Sequence, residues 1–219
     1  MAERAIGTPQ ATSERDWWLR ALVVLTNPRS VFVALRDDSR PAAEARQEPV
    51  LALVLLAGMT AVLATPSTAD LLDDGTRDGI VVAVLIFLAG GLYGAATYLI
   101  GGGALAVGIR AAGGESTYRA ARHLVAFAAA PLALSLFVLW PLELAVFGSD
   151  LFRTGGGDET GAGRWIFQGL EAAFVVWAAA LLVLGVVTVH AWPLVRALGA
   201  VVLAGLALLA VAVAFSLFG

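Results

Sequence analysis

Five apolar stretches constrain the fold of this chain more than any other feature. They cover about residues 50–68, 80–109, 124–147, 166–192 and 197–218. A helix of about 20 apolar residues crosses the hydrocarbon core of a bilayer. The chain is 59% hydrophobic and 14% charged, whereas soluble domains are about 45–50% apolar. We therefore predict an all-α, polytopic integral membrane protein with five transmembrane helices.

A short amphipathic segment precedes these spans. The first apolar stretch begins near Pro49, which is too far into the chain for a cleavable signal peptide. We predict a cytoplasmic or interfacial lead over residues 1–48 and a five-span membrane domain over residues 49–219. The first span is short, at about 24 Å for residues 50–65, and the second is long, at about 45 Å. The glycines at 101–103 permit the second span to bend, to emerge at the interface or to form a re-entrant piece.

Arginine counts predict the orientation. All 14 basic residues are arginine, and eleven of them fall in residues 1–48, in the 110–123 loop or at Arg196. The other side has three, namely Arg77, Arg153 and Arg164. Because basic residues concentrate in cytoplasmic loops, we predict a protein of the plasma (inner) membrane with a cytoplasmic N-terminus and an external C-terminus.

The lead contains candidate lipid contacts. Trp17 and Trp18 belong to an apolar helical face, and Asn27-Pro28 is a helix break that also suits the start of the next helix. Arg29 and Arg36 flank that second helix, where their heads could reach anionic phosphates. The open alternative is a cytoplasmic helical hairpin packed on the ends of the spans.

The loop before span three offers similar chemistry. Ser116 or Thr117 can cap a helix that carries Arg119, Arg122 and His123 on one face at the cytoplasmic surface. Arg119 and Arg122 are therefore candidate contacts for anionic lipid, and a purely topological role is the alternative.

A series of small residues in span two predicts a helix-packing seam. Their spacing of 4, 3, 4, 3 and 4 places them on one face of a regular helix, where a neighbouring backbone can approach closely. The seam consists of Gly90, Gly94, Thr97, Gly101, Ala104 and Gly108.

Catalytic chemistry has little support in this sequence. The chain has no cysteine and two histidines, and we identify no catalytic, cofactor-binding or metal-binding residues. The net charge of −3 argues against a nucleic-acid partner, which requires a concentrated basic surface. Glu143 and Glu171 lie at matching depth in consecutive spans and are candidate paired carboxylates. Solvated side chains near the outer headgroups are the alternative.

Three short motifs carry a resemblance to a known family. They are Pro28-Arg29-Ser30-Val31-Phe32, Tyr118-Arg119-Ala120-Ala121-Arg122-His123-Leu124 ahead of Pro131, and Trp177 with Leu184-Gly185-Val186. Across about residues 18–216 the chain resembles the prokaryotic branch of the YIP-one (Ypt/Rab-interacting membrane protein) family. The resemblance implies five membrane helices, a cytoplasmic N-terminus and no catalytic residues. Eukaryotic members are associated with Rab-type GTPases, but their Asp-Leu-Tyr-Gly-Pro stretch is absent here, so no such GTPase partner is implied.

The sequence therefore predicts a non-enzymatic membrane protein that organises membrane or scaffolds membrane partners. Membrane lipids, and other membrane proteins, are the expected partners. The alternative is a permease or channel for an ion or small solute, with the glycine seam and the Glu143/Glu171 pair lining its pathway. Spans one, two and five contain no Asp, Glu, Arg or His at all, which favours the scaffold.

Overall fold

The computed structural model describes residues 14–73, 78–148, 151 and 161–218. Arg77 and Arg153, two of the three arginines assigned to the outer side, lie outside these residues. The regular secondary structure of the described residues is entirely helical. The helices are α1 (Glu14–Val23), α2 (Pro28–Ala34), α3 (Arg40–Ala45), α4 (Gln47–Leu63), α5 (Pro66–Asp73), α6 (Gly79–Ala96), α7 (Gly102–Ala111), α8 (Tyr118–Ala128), α9 (Ala130–Phe147), α10 (Gly161–His190) and α11 (Leu194–Phe218), and a π-helical segment (Thr97–Gly101) joins α6 to α7.

Four helical stretches are long and apolar enough to cross a membrane, and a fifth qualifies if α4 and the bent helix after it are one span. The four are Gly79–Ala111, Tyr118–Phe147, Gly161–His190 and Leu194–Ala214. The polytopic all-α prediction is confirmed. The stretch Gly79–Ala111, which corresponds to predicted span two, is helical throughout, including the π-helical segment. The bend or re-entrant piece predicted for this span is therefore not seen as a break in the helix.

Helix α4 ends in a sharp bend. Helix α4 has 17 residues, or about 25 Å, and α5 leaves it at 73°. The residue before a proline disfavours helical backbone, and Thr65 precedes Pro66. The hydroxyls of Thr65 and Thr68 both donate to the Val62 carbonyl oxygen at 2.7 Å. These bonds satisfy a carbonyl at the end of α4 that the broken helix leaves without its usual partner.

Glycines bring α4 and α6 into backbone contact. A Cβ atom on Gly58 would overlap the Gly90 carbonyl, and one on Gly94 would overlap the Val54 carbonyl. Small residues are how membrane helices gain close van der Waals packing, because burial from lipid supplies no hydrophobic driving force. Gly108 of α7 makes an equivalent contact with the backbone of α11 at Ala200.

The lead helices α1 and α2 share the core of the bundle, and α3 packs against it through the partly buried Ala45. Trp17, Val24 and Phe32 are at most 1% exposed and belong to the same buried cluster as Leu124 and Val186 of α8 and α10. The Trp17 and Phe127 ring centroids are 5.7 Å apart. The lead is therefore packed onto the spans, as the hairpin alternative predicted.

Arginines tie several helix ends together on the side that carries residues 14–46, which we call the lead side. Arg36 donates from Nε to the Thr188 carbonyl at 3.0 Å, near the end of α10. Arg196 donates to the carbonyls of Ala112 and Gly113 at 2.9 and 2.7 Å, so it joins the start of α11 to the end of α7. A cation at a helix C-terminus satisfies its last carbonyls and opposes the negative end of the helix dipole. The opposite end of the bundle is the far side.

Candidate functional site

The most highly organised polar cluster lies on the lead side, where the α3–α4 junction meets the start of α8. The chain ends α3 at Ala45 and begins α4 at Gln47, so Arg46 stands between them. Thr117 caps α8 by accepting a hydrogen bond from the Ala120 amide at 3.0 Å, as the sequence predicted. Residues from two distant segments of the chain therefore meet at one place.

Arg46 is at the centre of this cluster and is 0% exposed. Its Nη1 donates to the Asp37 carbonyl at 2.9 Å and its Nη2 to Asp38 Oδ1 at 3.2 Å. Its Nε donates to His123 Nδ1 at 2.8 Å. A guanidinium cannot accept a hydrogen bond, so this nitrogen of His123 carries no proton here and the ring is neutral. The guanidinium carbon also lies 5.5 Å from the Trp17 ring centroid.

Asp38 joins Arg46 to the start of α8. Arg119 donates from Nε to Asp38 Oδ1 at 3.0 Å, and Thr117 donates from its hydroxyl to Oδ2 at 2.7 Å. The carboxylate thereby occupies the positive end of the α8 dipole, where an anion is favoured. The carboxylate therefore accepts hydrogen bonds from two arginines and from the residue that caps α8.

Burial and charge act in opposite directions on these groups. Partial burial raises the pKa of the Asp38 carboxyl, but the hydrogen bonds from Thr117 and Arg119 and the nearby arginine charges outweigh it, so the pKa lies below its ordinary value. Burial lowers the pKa of Arg46, and the Asp38 charge opposes that shift. Arginine retains its proton at any physiological pH. The cluster therefore holds a buried ion pair rather than neutral groups.

A cavity of about 560 Å³ opens beside this ion pair, and we call it the arginine pocket. It is lined by Arg40, Ala43, Glu44, Gln47, Val50, Leu51, Tyr98, Arg119, Arg122 and His123. Its volume falls within the roughly 300–1,000 Å³ of ligand-binding pockets. The pocket can therefore hold a polar ligand beside several guanidinium groups.

The predicted lipid contacts of the lead have different environments. Trp17 is 1% exposed and Trp18 is 43% exposed, because neighbouring residues on a helix point about 100° apart. Arg29 is exposed at the start of α2, and Arg36 is exposed but bonded to Thr188. The structure thus places Trp17 in the protein core and leaves Trp18 and Arg29 at the surface.

The predicted glycine seam is divided between two contacts. Gly90 and Gly94 pack on α4, whereas Gly108 packs on α11. Thr97 is exposed, and a Cβ on Gly101 would come no closer than 3.8 Å to Val125. The π-helical segment adds a residue to one turn and so rotates everything after it relative to the regular α-helical spacing. Ala104 is buried within α7.

The predicted carboxylates line one cavity near the far side. This acidic cavity has a volume of about 340 Å³ and includes Glu143, Glu171, Arg164 and Gln168 in its lining. Glu143 is 8% exposed, whereas Glu171 is exposed. The Phe147 and Phe167 ring centroids, 5.2 Å apart, join α9 to α10 beside the cavity.

Sequence reasoning missed Asp38 and Arg46 as members of a site. Arg46 was counted with the topological arginines, and its partner His123 lies 77 residues away. No local pattern links the two positions. Among the described residues, no group of three or more histidine, aspartate or glutamate side chains is arranged to hold a metal ion.

Comparison with known proteins gives one match. A family model described as the Yip1 domain matches residues 22–216. No curated protein and no solved structure matches the chain significantly.

Proposed function

The chain belongs to the Yip1 domain family, and from this premise we propose that it is a non-enzymatic membrane scaffold of the family's prokaryotic branch. The membrane domain anchors the lead helices at the lipid surface of one leaflet, where they organise lipid and membrane partners. Its multi-pass membrane character has independent support in the length and apolar composition of its helices.

The second apolar face of the lead carries this proposal. While Trp17 is buried, the outer surface of α1 and α2 exposes large apolar side chains: Trp18, Leu19, Leu22 and Val33 are 43%, 56%, 68% and 50% exposed. Interfacial helices use such faces to enter the headgroup region. Arg29 is exposed at the start of α2, and its positive charge is suited to anionic lipid. Because α1 and α2 are already packed on the spans, this face does not have to fold when it binds lipid.

Site-directed labelling tests the position of the lead. The chain has no cysteine, so Leu22→Cys and Thr26→Cys each create one labelling site in the full-length protein. Reconstituted in anionic liposomes, a fluorophore at position 22 should be quenched by lipids carrying a quencher near the headgroups. A label at Thr26, an exposed residue in the turn after α1, should be quenched less. Equal access of aqueous quencher to both labels would contradict the proposal.

The proposed orientation places the lead on the cytoplasmic side of the plasma (inner) membrane. The eleven-to-three distribution of arginines supports it. A reporter fused after Gly219 should be external and one fused before Met1 cytoplasmic. A cytoplasmic C-terminal reporter would contradict the five-span orientation.

A permease or channel is the second candidate, because the acidic cavity brings Glu143 and Glu171 to one lining. A transport pathway also needs polar groups near mid-membrane, and spans one, two and five contain no Asp, Glu, Arg or His. We therefore favour the scaffold, and ion flux through reconstituted protein distinguishes the two.

A further inference from the structure

We propose that the arginine pocket binds a phosphate group carried by an anionic lipid headgroup. This inference names a specific lipid site for the scaffold and rests on the proposed function for its lipid partner. Of the three arginines that line the pocket, Arg119 binds Asp38 and Arg40 pairs with Glu44, which leaves Arg122 without a carboxylate among the described residues.

Arg122 is held in a fixed position without a polar partner. Its guanidinium carbon lies 5.1 Å from the Tyr98 ring centroid and 4.7 Å from that of Tyr118. The Tyr118 hydroxyl donates to the Leu99 carbonyl at 2.9 Å, which fixes one ring. Gly102 leaves room for the side chain, since a Cβ there would lie 2.9 Å from Arg122 Cα and closer still to its Cγ.

No acceptor among the described residues satisfies this guanidinium. Its Nε is buried and lacks a hydrogen-bond partner there, and neither a hydrogen bond nor an ion pair joins Arg122 to a described residue. A half-buried cation without acceptors is costly unless an anion compensates it. The two tyrosine faces attract the cation but accept no conventional hydrogen bond from it.

Neighbouring charges favour an anion as the missing partner. Arg119 lies three residues before Arg122 on the same face of α8, and its side chain remains 40% exposed although it binds Asp38. Arg40 and Glu44 line the pocket as a mutual pair, with Nε to Oε1 at 3.0 Å. Glu44 is therefore offset by Arg40, and the charge of Arg122 is left over. Planar guanidinium groups bind phosphate through two parallel hydrogen bonds.

The apolar part of the lining favours a lipid as the source of the phosphate. Val50 and Leu51 of α4 line the same pocket, and Leu51 is 52% exposed near the start of the first span. A phosphate bound at Arg122 could therefore have its acyl chains against the outer surface of α4. A free phosphate would make no use of that surface.

Lipid-dependent stabilisation of the full-length protein tests the site. The protein in neutral detergent is titrated with phosphatidylglycerol, phosphatidylcholine or inorganic phosphate, and the unfolding temperature is recorded, since a ligand that binds the folded state raises it. Phosphatidylglycerol should give a saturable rise. Phosphatidylcholine and inorganic phosphate should give little. An equal response to phosphatidylcholine, or a saturable response to inorganic phosphate alone, would overturn the lipid assignment.

Matched variants locate the response in the pocket. Arg122→Gln should weaken the apparent affinity for phosphatidylglycerol by about tenfold or more, because a charged hydrogen-bond donor is lost. Arg15→Gln makes the same charge change at an exposed position of α1 outside the pocket and should bind as the natural protein does. Equal affinities of the two variants would reduce the effect to general surface charge and overturn the proposal.

A conservative variant keeps the test decisive if Arg122→Gln does not fold. Arg122→Lys retains the charge but loses the planar fork, so it should weaken binding severalfold. Unchanged affinity in this variant would contradict recognition by the guanidinium.

The label at position 22 reports separately on the scaffold: a water-exposed label with intact phosphatidylglycerol binding would refute the interfacial lead but not the lipid site in the arginine pocket. A quenched label with no effect of Arg122→Gln would refute the pocket alone.

Discussion

On the lead side, arginines join elements that are far apart in sequence, whereas on the far side aromatic and aliphatic contacts surround the acidic cavity. Arg46 reaches His123 over 77 residues and Arg36 reaches Thr188 over 152. On the far side, the ring contact of Phe147 with Phe167 joins α9 to α10. Hydrogen bonds from arginines fix the position of the lead relative to α8 and α10, and a binding site for a headgroup requires such fixed positions.

The difference also separates two uses of charge in a membrane protein. Arg46, which is fully buried, and Asp38, whose side chain is 20% exposed, compensate each other as an ion pair, while Glu171 is exposed at the acidic cavity. Removing one partner of a buried pair leaves an uncompensated charge. Replacing an exposed charge costs little. Substitutions on the lead side should therefore cost more stability than substitutions at the acidic cavity.

The largest effect is expected at Arg46. Arg46→Met leaves Asp38 and His123 without their central donor and should lower the free energy of unfolding by about 3–5 kcal/mol. Arg40→Met removes an exposed pair with Glu44, in which the side chains are 86% and 63% exposed, and should cost less than about 0.5 kcal/mol. Chemical denaturation in detergent, followed by tryptophan fluorescence, measures both. Similar losses would show that Arg46 is not a structural centre.

Glycine packing gives the next effect. Gly94→Ala places a methyl group against the Val54 carbonyl and should destabilise the protein by about 1–3 kcal/mol through overpacking. Gly101→Ala meets Val125 Cγ1 only at 3.8 Å, an ordinary contact, and should be nearly neutral. The same denaturation experiment compares them. If Gly101→Ala were the more damaging, the seam would follow the regular α-helical spacing after all.

Acid should weaken the lead side through Asp38. Its pKa is lowered from 3.8 in the folded protein, so its contribution to stability is present above that ordinary value and is lost as pH falls through the lower folded value. Asp38→Asn should be less stable at neutral pH and should lose less on acidification below about pH 4. Some acid dependence remains, because hydrogen bonds from Ser39 also lower the pKa of Asp37. Parallel acid profiles for the two proteins would contradict the assignment.

Hydrophobicity was sufficient to predict the spans but not the faces of the lead. A residue buried in protein and a residue facing lipid are both apolar, since lipid tails are as apolar as leucine. The pair Trp17-Trp18 therefore gave no signal that one ring belongs to the core and the other to the surface. Pro28 at the first helical position and Thr117 as a cap were predictable because those are local backbone effects.

Contacts between residues far apart in sequence, and irregular helical turns, could not be predicted from local sequence patterns. Arg46 resembles any other basic residue near a membrane, and only folding reveals that α8 supplies its partner. The seam prediction assumed uniform helical spacing, which the π-helical segment between Thr97 and Gly101 interrupts. Asp38 likewise becomes a site residue only because the start of α8 lies beside it.

The smallest effect is expected at the acidic cavity, where the permease alternative is decided. Glu143 lies near the end of α9 and Glu171 about three turns into α10, and both share a lining with Arg164. We expect this cavity to lie near the outer headgroups, where the two charges can be solvated. The double variant Glu143→Gln/Glu171→Gln should therefore fold and leave the ion permeability of reconstituted liposomes unchanged. Measurement of proton and potassium flux in protein-containing and protein-free liposomes supplies the baseline. Flux that the natural protein supports and the double variant loses would replace the scaffold with a permease, because only a conducting pathway makes permeability depend on these two carboxylates.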